Sequence, residues 1–110
     1  MLRLEKSKEN EIEILSLYGE VDASNSVILD EAIQEVVAGG SKSLLVDGEN
    51  LEYISSAGLG VFMSYLEDFQ EQGITMKICS LVPRVFEVFR ILGLDQLIPI
   101  YPDRAAALAE

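Results

Sequence analysis

The 110 residues carry 19 acidic and 8 basic side chains, a net charge of −11, with 49% hydrophobic and 25% charged residues. That balance excludes a wholly disordered chain, suits one globular domain over residues 1–110 that buries roughly two-thirds of its unfolded surface, and argues against nucleic acid or anionic lipid as a partner. With no histidine and one cysteine, the Ser-His-Asp triad, the usual zinc sites and an internal disulfide are also excluded.

Residues 2–6 alternate apolar and charged (Leu2 and Leu4 against Arg3 and Glu5), which predicts a short strand with one wet face. Ser7–Asn10 reads as a turn, and alternation over 11–18 (Ile12, Ile14 or Leu15, Leu17) predicts the second arm of an opening hairpin. A polar elbow, Glu20 to Asn25, follows. Leu29, Ala32, Ile33, Val36 and Val37 then recur at helical spacing until Gly39-Gly40. Ser43–Asp47 is a short apolar run bounded by turn signals, as expected of a central strand buried on both faces. Glu49-Asn50-Leu51-Glu52 does not alternate and reads as a loop.

Past this loop, Tyr53-Ile54-Ser55-Ser56-Ala57-Gly58-Leu59-Gly60 turns from apolar residues to hydroxyls and then to glycines within a helical pattern. A serine at a helix start can accept a bond from a free backbone N–H. Leu59, Phe62, Met63, Leu66 and Phe69 are expected to form the buried face of this helix, which ends near Gly73. Gly58 and Gly60 each cost ~1 kcal/mol relative to alanine in a helix, and two small residues beside hydroxyls leave the backbone open to another molecule.

Ile74–Ser80 predicts the next strand, with Cys79 as a buried thiol. Pro83 suits the first turn of a helix carrying Val85, Phe86, Phe89 and Leu92, closed by Gly93. Ile98, Ile100 and Tyr101 lie between prolines and predict an edge strand, and Asp103 is placed to cap a small alanine-rich helix. The predicted fold is thus α/β: a mixed sheet of four to five strands with about four helices, an opening hairpin and then alternating helices and strands. Functional groups are expected at the carboxyl ends of the strands, at elbows beginning at Glu20, Asp47 and Ser55. No apolar run approaches the roughly 18 residues of a membrane span, and Met1–Glu5 lacks the apolar segment of a signal peptide, so a cytoplasmic protein without direct membrane insertion is expected.

Taken together, these residues resemble the STAS domain family, specifically its stand-alone anti-sigma factor antagonists of bacterial partner-switching pathways. Tyr53–Gly60 resembles that family's phosphorylation loop, Gly19-Glu20-Val21-Asp22 its acidic elbow, and Val85–Tyr101 its closing helix and strand. The resemblance implies that Ser56 is the phosphoacceptor, with Ser55, where the family usually has aspartate, as runner-up. It also implies that Asp22 contacts the partner or its nucleotide, and that Ser55, Ser56 and Gly58 meet the partner. That partner is an anti-sigma factor serine kinase, bound by the unphosphorylated protein and released after phosphorylation, and a serine phosphatase reverses the switch. The family implies no catalysis and no cofactor in this chain, since ATP and magnesium belong to the kinase. The alternative is a STAS scaffold or transporter-associated subunit whose serine is not switched. A side chain at Gly58 is expected to crowd whatever approaches Ser56, so Gly58→Val is expected to weaken binding more than it unfolds the domain.

Overall fold

The computed structural model describes residues 1–109. Five strands form one sheet in the order β1-β2-β3-β4-β5: β1 (Leu2–Glu9), β2 (Ile12–Val21), β3 (Ser43–Ile54), β4 (Thr75–Cys79) and β5 (Ile100–Tyr101). β1 and β2 are antiparallel, and every later pair is parallel. The helices α1 (Ser26–Ala38), α2 (Ser56–Gln72) and α3 (Pro83–Ile91) connect successive parallel strands, and α4 (Arg104–Ala109) follows β5. Because the parallel strands are laid down in one direction across the sheet, crossovers of one hand put α1, α2 and α3 on the same face. Their buried residues join Leu15, Leu17, Val21, Leu44, Val46, Leu51 and Ile54 in the main core. On the opposite face α4 buries Ala107 against Ile14, Leu45 and Cys79. Adjacent residues Ile14 and Leu15 are therefore both buried, one on each side of the sheet.

The opening hairpin is longer than its alternation suggests. β1 runs to Glu9, and the turn is Asn10-Glu11 rather than Ser7–Asn10, with both turn residues at positive φ (51° and 67°). Lys6 and Lys8 remain strand residues because edge positions tolerate charge.

The larger difference lies in β3. It continues through Glu49–Glu52, the stretch expected to be a loop. Ser16 pairs with Asp47 but Tyr18 with Asn50, and Gly19 pairs with Leu51 but Glu20 with Tyr53. Each shift adds one residue to β3, and each added residue reverses which face the following side chains address. Gly48, Leu51 and Ile54 are consequently buried three apart instead of two, which is why a period-two search finds no strand here. β4 pairs only with Ser43–Asp47, so the second half of β3 extends beyond β4 alongside β2. Arg84 of α3 donates through Nε to the Glu52 carbonyl at 3.0 Å on the side β4 leaves open.

Helix ends follow the local chemistry. Gly73 adopts φ 71°, and the N–H groups of Gly73 and Ile74 bond back to Gln70 and Phe69, closing α2. Pro83 stands at the first position of α3, and Asp103 Oδ1 accepts from the Ala106 N–H at 2.8 Å. Three expected core positions lie elsewhere: Met63 and Leu92 are about half exposed, at 50% and 53%, and Phe86 is half-buried. Gly93 turns the chain at positive φ into a short 3-10 turn, Leu94–Gln96, and Ile98 is buried beside β5 rather than in it.

Glu11 occupies a left-handed position that glycine fills without steric cost in a two-residue hairpin. Glu11→Gly is expected to stabilise the protein by about 0.5–1 kcal/mol, read as a raised urea midpoint with an unchanged slope.

Candidate functional site

β2 and β3 end level with one another. Val21 pairs with Ile54, and the Ser55 N–H donates to the Val21 carbonyl at 2.9 Å. Beyond this bond each strand turns into a helix, Asp22–Asn25 leading to α1 and Ser55 to α2, so two elbows more than thirty residues apart in sequence lie side by side at the carboxyl edge of the sheet.

The acidic elbow is internally braced. Asn25 is buried; its Nδ2 donates to the Glu20 carbonyl at 3.0 Å and its Oδ1 accepts from the Asp22 N–H at 2.9 Å. Asp22 Oδ1 accepts from the Ser24 hydroxyl at 2.6 Å and from the Ser24 N–H at 2.9 Å, and these bonds hold the carboxyl below the usual aspartate range. Asp22 therefore keeps its negative charge at neutral pH. Just before the elbow, Gly19 passes so close to the start of the chain that a Cβ there would collide with the Met1 carbonyl oxygen.

At the serine elbow the two hydroxyls have different surroundings. Ser55 is the N-cap, half-buried, and its Oγ accepts from the Gly58 N–H at 3.4 Å. Ser56 is the first helical residue and is exposed. Sequence alone makes either serine a cap; the chain path assigns that work to Ser55. Since the first N–H groups of a helix lack partners inside it, those of Ser56 and Ala57 point out of the same helix end that carries the free hydroxyl.

The two glycines also separate. A Cβ on Gly58 would lie 2.7 Å from Val21 Cγ1 and 2.7 Å from Ile54 Cγ1, whereas one on Gly60 would meet nothing within 4 Å. Gly58 thus faces inward, where it lets α2 settle against the ends of β2 and β3. The expectation that a Gly58 side chain would first obstruct an approaching molecule is corrected: it would first strike the core. The open glycine is Gly60. It lies one turn from Ser56 on an exposed strip that continues to Met63. Val27 and Ile28 on the first turn of α1, and Tyr53 before the elbow, are further exposed hydrophobic residues, at 57%, 43% and 50%.

Tyr65 of α2 donates to the Asp30 carboxylate of α1 and also to the Asp30 carbonyl at 3.2 Å, which ties together the helices that leave the two elbows. Burial, with Asp30 adding to it, pushes its phenol up to about 12. The third expected elbow is not one. Asp47 lies within β3, seven residues before Ile54 and roughly 20 Å along the strand, and is buried in an ion pair with Arg104. Asn25 is the residue that sequence reading passed over, although an asparagine three residues after an aspartate at a helix start is a signal for such bracing.

The STAS domain profile matches residues 3–107, and the chain belongs to the STAS domain family. It is 30% identical over 95 residues to the anti-sigma-B factor antagonist of Bacillus subtilis, covering 86% of this chain and 85% of that one. It is 29% identical over 113 residues to the anti-sigma F factor antagonist of Paenibacillus polymyxa, covering 99% and 94%. Among solved structures the fold matches SpoIIAA in its unphosphorylated form (TM-score 0.71, 19% identity, 99% of this chain and 94% of that one). It equally matches the Bacillus SpoIIAA in its phosphorylated form (TM-score 0.72, 18% identity, 99% and 97%).

Two outcomes follow from this geometry. Asn25→Ala leaves the Glu20 carbonyl and Asp22 N–H without their partner and is expected to cost about 2 kcal/mol in urea unfolding. Gly58→Ala is expected to destabilise by about 1–3 kcal/mol through overpacking, whereas Gly60→Ala is expected to hold or raise the melting temperature; equal losses would contradict the packing role of Gly58.

Proposed function

We propose that this protein is an anti-sigma factor antagonist of a bacterial partner-switching pathway. In its unphosphorylated form it binds an anti-sigma factor with serine kinase activity, and phosphorylation at Ser56 releases it. A serine phosphatase then restores the binding form. The observation that carries this reading is the division of labour at the serine elbow: Ser55 spends its hydroxyl on the helix cap, while Ser56 offers an exposed hydroxyl at the first position of α2. Names of relatives such as the anti-sigma-B factor antagonist support the same reading. The exposed strip from Ser56 over Gly60 to Met63, together with the exposed Val27 and Ile28 on the first turn of α1, supplies an apolar surface of the kind a protein partner covers.

The physical effect of the phosphate falls on the interface rather than on the fold. It brings about −1.5 to −2 charges to a helix N-terminus, where open N–H groups and the helix dipole favour an anion by ~0.3–1 kcal/mol. In the complex, the same dianion has to lose water beside Asp22, which is already ionised, and within a chain of net charge −11. A thousandfold loss of affinity requires only about 4 kcal/mol, within the cost of burying an unpaired charge. The chain contributes a substrate hydroxyl and a docking surface; the chemistry of transfer, with ATP and magnesium, resides in the kinase.

Incubation with the cognate kinase and ATP is expected to add one phosphate, placed on Ser56 by fragmentation, and to weaken kinase binding at least a hundredfold. Ser56→Ala is expected to bind and stay unmodified, while Ser55→Ala is still modified at Ser56. Absence of phosphate at Ser56, both here and in protein purified from the source organism, would replace this reading with that of an unswitched scaffold.

A further inference from the structure

Away from Ser56, on the other face of the sheet, α4 presents an unusual balance of forces. Four of its six residues are alanine, and its buried side is Ala107 with part of Leu108. A helix this short does not persist alone, and alanine methyl groups bury little apolar area. Polar contacts add to this small apolar area. Arg104 donates from Nε and Nη2 to Asp47 Oδ2 at 3.0 and 2.8 Å, from Nη1 to Glu9 at 3.1 Å and from Nη2 to the Ser16 hydroxyl at 3.3 Å. One guanidinium thereby ties α4 to three strands. Lys77 of β4 donates to the Ala107 carbonyl at 3.1 Å. Beneath the helix lie Ile14, Leu45 and Cys79, each at most 1% exposed, on three neighbouring strands.

We propose that α4 is a detachable strap: it leaves the sheet as a unit while the rest of the fold stays intact, uncovering the Ile14, Leu45 and Cys79 strip and opening the Cys79 thiol to chemistry. The Arg104–Asp47 contact is its latch. Breaking it strands a carboxylate that is 7% exposed, and lifting the helix is the movement that readmits water to that group. The main core, with α1, α2 and α3, is a separate cluster of buried residues on the opposite side of the sheet from the one that α4 covers. The far face is thus a surface that can be shown or hidden separately from the Ser56 elbow.

Cys79 is the only cysteine of the chain, so alkylation reads the opening directly. N-ethylmaleimide adds across its double bond to the thiolate, a proton from water completes the adduct, and intact mass counts one addition. In the full-length protein, the strap predicts alkylation at least tenfold faster than the globally unfolded population allows, with a rate nearly flat across low urea concentrations. Arg104→Met is expected to raise that rate at least tenfold. Ile33→Val, a change on the buried face of α1, is expected to lower the melting temperature and leave the rate unchanged. The proposal is overturned if alkylation follows the steep urea dependence of global unfolding, if Ile33→Val accelerates it as much as Arg104→Met does, or if Arg104→Met folds and leaves the rate unaltered. Should Arg104→Met fail to fold, the urea series on the unmodified sequence decides alone.

Discussion

The bond from the Ser55 N–H to the Val21 carbonyl is the constraint on which the candidate site rests. It closes the parallel pairing of β2 and β3 at their carboxyl ends and fixes where both chains leave the sheet. Everything chemical follows from that level ending: the acidic elbow and the serine elbow become neighbours, and α1 and α2 start side by side. Their axes are then joined again by Tyr65 and Asp30. A sheet in which β3 ended at Asp47 would leave Ser56 on a loop with no defined relation to Asp22.

Reaching that level ending requires β3 to be longer than the strand that β4 can pair. The two extra residues of β3 let Leu51 and Ile54 both face the core despite their spacing, and the bulges carry the strand past β4 to meet the end of β2. Packing completes the arrangement. Gly58 brings α2 down onto Val21 and Ile54, so the inner side of the first turn is committed to the core while its outer side, with Ser56 and Gly60, is left open. The apparent cost of two glycines in one helix thus has two explanations, close packing for one and an open surface for the other.

Charge is distributed with the same economy of position. On the sequence, Asp22 and Asp47 both stand at expected elbows, Asp22 within the polar elbow that begins at Glu20 and Asp47 at the end of an apolar run. In the fold, Asp22 is ionised and near the surface, held by Ser24, while Asp47 is buried and neutralised by Arg104. One lies at the sheet edge that carries the serine elbow and the other pairs with α4 on the opposite face.

The alternation of β1 and β2, the helical spacing of Leu29 to Val36, the Pro83 start and the Asp103 cap are local signals, and sequence by itself determined the order of elements, the mixed sheet and the presence of hydroxyls at a helix start. These are properties of a few neighbouring residues, set by backbone geometry and by the period of burial. Tertiary structure alone decided which serine caps and which is free, that Gly58 faces inward, that Met63 and Leu92 stay exposed, and that Asp47 is not an elbow. Those outcomes depend on register between strands far apart in sequence, and two inserted residues in β3 reverse the faces without leaving any period for a sequence to display.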